Sequence, residues 1–195
     1  MSHLRADLGR SLQYEDGSWL RVLAAPGTHA VLVYRFGAWA LRQPAPVRWL
    51  CSALYHIAYL AVRVLWGIEV PRTARIGPGF YIGHFGGITV TGSAVIGRNF
   101  NLSQGVTIGM ADGSRPGTPV IGDDVYIGPG ARVFGGIRIG DNVRIGANAV
   151  VYKDIPPDAV VALSPGFEII SFKGNRRPAP AQVTPIDRRR NSSSG

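Results

Sequence analysis

The stretch YIGHFGGITV, residues 81–90, sets one histidine, His84, among isoleucines and glycines. The ordinary pKa of an imidazole lies nearest neutrality, so it can accept and return a proton under physiological conditions. In this setting His84 is either a hydrogen-bonded core group or a general base able to take the proton from an attacking hydroxyl. Metal chemistry finds less support. A three-histidine zinc site would have to draw on His3, His29 and His56, which all precede the repeat that carries His84. No metal is expected. Cys51 is the one cysteine of the chain. A lone cysteine excludes an intramolecular disulfide, and apolar neighbours suit a buried thiol rather than a nucleophile.

The element that positions His84 is a repeat. Counting by sixes from Ile76 gives Ile82, Ile88, Ala94, Phe100 and Val106; resuming at Val125 gives Ala131, Ile137, Val143, Ala149, Ile155 and Val161. A second column runs two residues later through Pro78, His84, Val90, Ile96, Leu102 and Ile108, then Ile121, Ile127, Val133, Ile139, Ile145 and Val151. A period of six suits neither a helix nor a simple alternating strand. It suits a parallel β-helix, in which short strands and tight turns make three faces per coil. Turns that need positive φ favour glycine, which accounts for 26 glycines in 195 residues. At about 18 residues per coil, residues 76–162 make about five coils. The period slips between Ile108 and Ile121, so GMADGSRPGTPV at 109–120 contains a loop extruded from the coil. Such excursions tend to carry function.

The flanks differ in texture. Helical patterning runs through RADLGRSLQ, through HAVLVYRFGAWALRQ after the break at Pro26–Gly27, and through VRWLCSALYHIAYLAVRVLW after Pro44 and Pro46. The last segment approaches the apolar length of a bilayer span, but His56 and Arg63 interrupt it. Two readings stand: a packed helix, or a helix lying on the membrane surface with flanking arginines as anchors. The proline-, arginine- and serine-rich end reads as a flexible tail. The expected fold class is therefore α+β. It comprises an N-terminal helical region at 1–68, a left-handed parallel β-helix of hexapeptide repeats with one extruded loop at 69–171, and a basic tail at 172–195.

Formal charge is +9, and Lys153 and Lys173 are the only lysines. No nucleic-acid motif accompanies the arginines, so the charge points to an anionic small molecule rather than nucleic acid. Residues 1–18 are polar and charged, unlike a cleavable signal peptide. A cytoplasmic location is expected, with the inner face of the membrane as the variant that the apolar helix raises.

Five segments go further than pattern. LRADLGR, PGTHAVLVYRFGAWAL, GIEVPRTARIGPGFYIGHFGGITV, NLSQGVTIG and VIGDDVYIGPGARVFGGIRIGDNVRIGANAVVYKDIPPDAVV together resemble the serine O-acetyltransferase family of hexapeptide-repeat acyltransferases. The resemblance implies transfer of acetyl from acetyl-CoA to a hydroxyl, and homotrimers or pairs of trimers. It implies His84 as the catalytic base, and Glu69, where the family commonly has aspartate, as its partner carboxylate. Such a carboxylate fixes the imidazole tautomer and stabilises the imidazolium. It further implies that Gly109, Met110, Pro129, Arg132, Ala147 and Lys153 lie along the acetyl-CoA arm, and that His29 is structural.

The chain also departs from that family. Gly83 stands where serine-specific members carry an aspartate before the histidine. The loop DGSRPGTPVIG lacks the family's histidine. Thr118 stands near its place, Arg115 is the candidate for the lost positive charge, and Asp16 is the candidate for contact with serine's amine. IGHFGGI and NLSQGVTIG also resemble a branch that acetylates polysaccharides. The expectation is an acetyl-CoA-dependent O-acetyltransferase whose acceptor is a sugar or polysaccharide-precursor hydroxyl, with serine as the alternative.

Overall fold

The structure, a computed structural model, describes residues 2–112 and 115–163. The expected tail at 172–195 and the expected end of the coil at 164–171 lie outside the described residues. Four helices come first. α1 (Ser2–Tyr14) gives way to Asp16 and Gly17, both at positive φ (51° and 73°), which reverse the chain. A short α2 (Trp19–Ala24), not foreseen from the pattern, starts where the Ser18 hydroxyl accepts from the Arg21 N–H. Pro26, expected as a break, is instead the first residue of α3 (Pro26–Ala40), where its missing N–H leaves no bond unmade. α4 (Val47–Trp66) coincides with the expected third helix and stops at Gly67, whose left-handed φ of 62° lets its N–H reach the Arg63 carbonyl.

Among the described residues, fourteen short strands, β1–β14 in chain order, then wind into a parallel β-helix with three walls. The first wall stacks β1 (Ile68–Glu69), β4 (Ile88–Val90), β7 (Thr107–Gly109), β10 (Arg132–Phe134) and β13 (Val150–Val151). The second stacks β2 (Arg75–Ile76), β5 (Val95–Ile96), β8 (Val120–Ile121) and β11 (Arg138–Ile139). The third stacks β3 (Tyr81–Ile82), β6 (Asn101–Leu102), β9 (Tyr126–Ile127), β12 (Arg144–Ile145) and β14 (Val160–Val161). The apolar columns fill the interior: Phe80, Phe100, Val106, Ile108, Ile127 and Ile145 are fully buried. Each such side chain contributes about 1.5–3 kcal/mol on leaving water.

Coil length is 18 residues where Thr89 pairs with Thr107 and where Tyr126 pairs with Arg144. The register departs from that length three times, not once. The coil from Ile82 to Leu102 has 20 residues, the one from Val95 to Val120 has 25, and the one from Arg144 to Val160 has 16. The 25-residue coil holds the extruded loop, closed by paired N–H···O bonds between Ala111 and Gly117. The 20-residue coil holds two extra residues at 83–87, the corner that contains His84. A slip of two moves a rung from one apolar column to the other, so it leaves no polar mark in the sequence. It does place His84 outside: among the second-column residues it is exposed, not buried.

The corner between third and first walls repeats a left-handed residue in every coil: Gly67, Gly87, Gly105, Gly130 and Asn148, at φ 62°, 66°, 70°, 70° and 57°. A Cβ on Gly87 or Gly105 would approach the corner glycine stacked above it. In later coils two residues precede this glycine, as in Ser103–Gln104–Gly105. In the His84 coil four do, Gly83–His84–Phe85–Gly86.

The helices close the first end of the coil. The Asp7 carboxylate is 1% exposed; it accepts the Gly79 and Phe80 N–H groups at 2.8 Å and pairs with Arg35 at 2.7 Å. Arg35 also donates to the Ile76 and Gly77 carbonyls. Tyr34 donates to the Ala74 carbonyl at 2.9 Å and accepts the Ile76 N–H at 3.0 Å. Helices and coil belong to one compact unit that ends at Leu163.

Candidate active site

His84 lies at the mouth of a cleft of about 290 Å³ lined also by Tyr14, Tyr81, Gly83, Ser103, Gln104, Tyr126 and Pro129. β3 delivers Tyr81, and the enlarged corner delivers His84 and the exposed Phe85. α1 delivers Tyr14, whose ring stacks on Tyr81 with centroids 4.4 Å apart. Arg10 Nε donates to the Asn101 side-chain Oδ1 at 2.8 Å, and Asn101 Nδ2 donates to the Tyr14 hydroxyl at 2.6 Å, which fixes that ring. Burial, then the nearby Glu15 carboxylate and Tyr14, push the Tyr81 phenol above its usual range and keep it neutral. Ser103 donates weakly to the Tyr126 hydroxyl at 3.4 Å. Beside them, the Gln104 Oε1 is buried without a hydrogen-bond partner among the described residues. Such an acceptor is costly to leave without a donor.

Glu69 does not meet His84 by a hydrogen bond among the described residues. Its carboxylate accepts instead from Arg63 of α4, with Nε and a terminal nitrogen both at 2.6 Å. In the single chain the Arg63 guanidinium, rather than the imidazole, holds this carboxylate. Asp16 is exposed, pairs with Arg21 at 2.8 Å and is not among the residues that line the cleft of the single chain. Gly83 does line it, and a Cβ there would lie 3.3 Å from the Tyr81 ring.

The other expected residues divide between two edges. Pro129 lines the His84 cleft, and Ala147 is exposed at the equivalent corner of the next coil. Arg132, on the first wall, donates to the Gly105 carbonyl and Thr107 hydroxyl, both at 2.6 Å. Gly109, the exposed Met110, and Lys153 (over the Tyr152 ring) lie at the edge between first and second walls. Arg115 is there too, paired with Asp154 at 3.0 Å. The Arg138 N–H, then Arg115, hold the Asp154 carboxyl below its usual range. The first wall separates these residues from His84 of the same chain. Thr118 donates to the Ser93 carbonyl. A larger hollow of about 560 Å³ over the second wall, lined by Arg138, Asp154 and Pro156, contains none of the acid–base candidates.

His29 donates from Nε2 to the Leu23 carbonyl at 2.6 Å and packs on Trp66, as a structural histidine would. Cys51 is half-buried rather than buried. Among the described residues no three His, Cys, Asp or Glu side chains converge as a metal site. Reasoning from sequence missed Gln104, Tyr14, Tyr81 and Asn101. Gln104 had a signal: it precedes corner Gly105 as Pro129 precedes Gly130.

Comparison with known proteins fixes the class and then the family. Residues 118–153 match the bacterial transferase hexapeptide (six repeats) family. The coil is the left-handed parallel β-helix of hexapeptide-repeat transferases. A serine acetyltransferase of Helicobacter pylori is 38% identical over 161 residues, covering 80% of this chain and 90% of the relative. One from Mycobacterium tuberculosis is 37% identical over 162 residues, covering 82% of this chain. A crystal structure of the Neisseria gonorrhoeae serine acetyltransferase in complex with serine superposes with a TM-score of 0.68 at 30% identity, covering 84% of this chain and 66% of that one. The chain belongs to the serine acetyltransferase family. It spans 66% of the length of the Mycobacterium tuberculosis relative.

Proposed function

We propose that this chain transfers the acetyl group of acetyl-CoA to the hydroxyl of L-serine, with His84 as general base. The observation that carries the reading is the exposed imidazole at the enlarged corner, opening on a cleft, in a chain whose relatives are named serine acetyltransferases. Sequence alone pointed first to a sugar acceptor; the relatives reverse that order. As the acceptor oxygen attacks the thioester carbon, His84 takes its proton. The C–O bond forms, the C–S bond breaks, and the imidazolium returns the proton to the departing thiolate.

Glu69 is the carboxylate assigned to that imidazolium, and it must leave Arg63 to reach it. Pro129 and Ala147 offer compact side chains to the pantetheine arm along the His84 edge, with Arg132 beside them. Gly109, Met110, Arg115 and Lys153 of a neighbouring copy in a homotrimer supply the other side, which one chain cannot bring to its own His84.

One observation favours a second reading, a neutral polyhydroxylated acceptor. The side chains that line the cleft besides His84 are uncharged: three tyrosines, Asn101, Ser103, Gln104, Leu102 and Pro129. A zwitterion entering such a site needs countercharges, whereas sugar hydroxyls can pair with Gln104 and stack on the Tyr14–Tyr81 rings. Purified protein with acetyl-CoA is to be offered L-serine, nucleotide sugars and oligosaccharides, with products read by mass spectrometry. O-acetylserine, lost about 10²–10⁴-fold in His84→Ala, is the expected result. Acetylated sugar alone overturns the serine acceptor, and an undiminished His84→Ala rate overturns the base.

A further inference from the structure

We infer that α4 lies flat on an anionic lipid surface and makes this protein a peripheral membrane protein. α4 is long and apolar enough to cross a bilayer by length and composition, yet little of it is buried in the protein. Its outward side presents Leu50, Leu54, Ile57 and Val64 in a stripe, with Ile57 69% and Val64 74% exposed. Those positions recur at the three- and four-residue spacing of one helical face. Trp49, 67% exposed, stands at its N-terminal end, and indole rings favour the headgroup boundary.

Charge identifies the occupant. Residues 17–68 contain five arginines and no Asp or Glu. Arg42 and Arg48, beside the start of α4, are exposed and have no carboxylate partner among the described residues. Phosphate headgroups supply that partner. A second copy that met α4 through its own α4 would bring only the same acid-free surface.

The helix cannot be enclosed by lipid on all sides. Tyr55 and Val62 are buried against the rest of the protein, and the Arg72 side chain donates to the Ser52 hydroxyl at 2.9 Å. The Arg72 N–H donates to the Tyr55 hydroxyl at 3.1 Å. One face is held by α3 and the start of the coil, and the other is left for the interface, as in helices that lie in the headgroup plane.

The test is vesicle flotation of the full chain with phosphatidylglycerol-containing vesicles, pure phosphatidylcholine vesicles, and none. Binding is expected with the anionic vesicles, weakened by salt, with a blue shift of tryptophan fluorescence. Arg42→Gln with Arg48→Gln should weaken it about 30-fold, at the usual contribution of two basic residues near a charged membrane. Leu54→Glu with Ile57→Glu should abolish it while leaving circular dichroism unchanged; these side chains are exposed, and the arginine variant tests the same surface should that one misfold. Equal binding to neutral vesicles, no binding, or resistance to carbonate extraction overturns the inference. So does a change of oligomeric state in the Leu54/Ile57 variant without lipid, which would place a second copy on α4. None of these readouts depends on acetyl transfer, so they stand or fall apart from the proposed activity.

Discussion

Replacing Asp7 with alanine removes one carboxylate that holds two elements together. In the folded protein it satisfies the Gly79 and Phe80 N–H groups and both Nε and a terminal nitrogen of Arg35, at 2.7 and 3.1 Å. Arg35 is itself 11% exposed, so it cannot recover full hydration in place. Breaking a buried pair in this way costs about 3–5 kcal/mol. The two stranded N–H groups push toward the upper end, and the surviving Arg35 bonds to the Ile76 and Gly77 carbonyls push back. For a domain of this size each kcal/mol lowers Tm by about 2–4 °C, so the melt should fall by about 6–20 °C. Thermal melts of Asp7→Ala, Arg35→Ala and the double variant measure it. Partners in one network do not add, so the double loss should be well below the sum. Because Asp7 and Tyr14 both belong to α1, the Tyr14–Tyr81 stack should loosen and the acceptor KM should rise. A loss of less than about 1 kcal/mol, or strict additivity in the double variant, refutes the account.

Deleting Phe85 and Gly86 restores an 18-residue coil; circular dichroism should be preserved while acetyl transfer falls as far as in His84→Ala, about 10²–10⁴-fold. Gly27→Ala sets a methyl against the Ile82 backbone oxygen, and should cost about 1–3 kcal/mol in urea unfolding, the usual result of overpacking. Burial holds the Tyr34, Tyr55 and Tyr81 phenols above their usual pKa of 10.0 and pushes Tyr59 to about 12. A pKa raised on folding stabilises below the unfolded value, so stability should hold to about pH 10 and decline toward about 12. Ultraviolet titration should show these four phenols ionising late, and their ionisation near pH 10.0 would contradict the packing.

Much of the fold is legible in the residues themselves. Six-residue spacing and corner glycines announce the coil, and α4 begins after Pro46 and ends before Gly67, as its pattern requires. The hidden two-residue slip at His84 is different, because an isoleucine satisfies either inward column and the register error carries no penalty in composition. The site is legible only in part. His84 stands out by type, but Asp7 reads as one more acid in a polar helix until the Gly79 and Phe80 N–H groups are seen to end on it. Glu69 is in its expected place on the chain, while its partner depends on where α4 brings Arg63, a matter of packing rather than of spacing.

Asp7, Tyr34 and Arg35 have a bearing beyond stability. A parallel coil has two open ends, and each offers backbone donors and acceptors to which another solenoid could be added. At the first end those groups, at Ala74, Ile76, Gly77, Gly79 and Phe80, are already engaged by side chains of α1 and α3. The plug therefore guards against end-to-end fibre growth from that side.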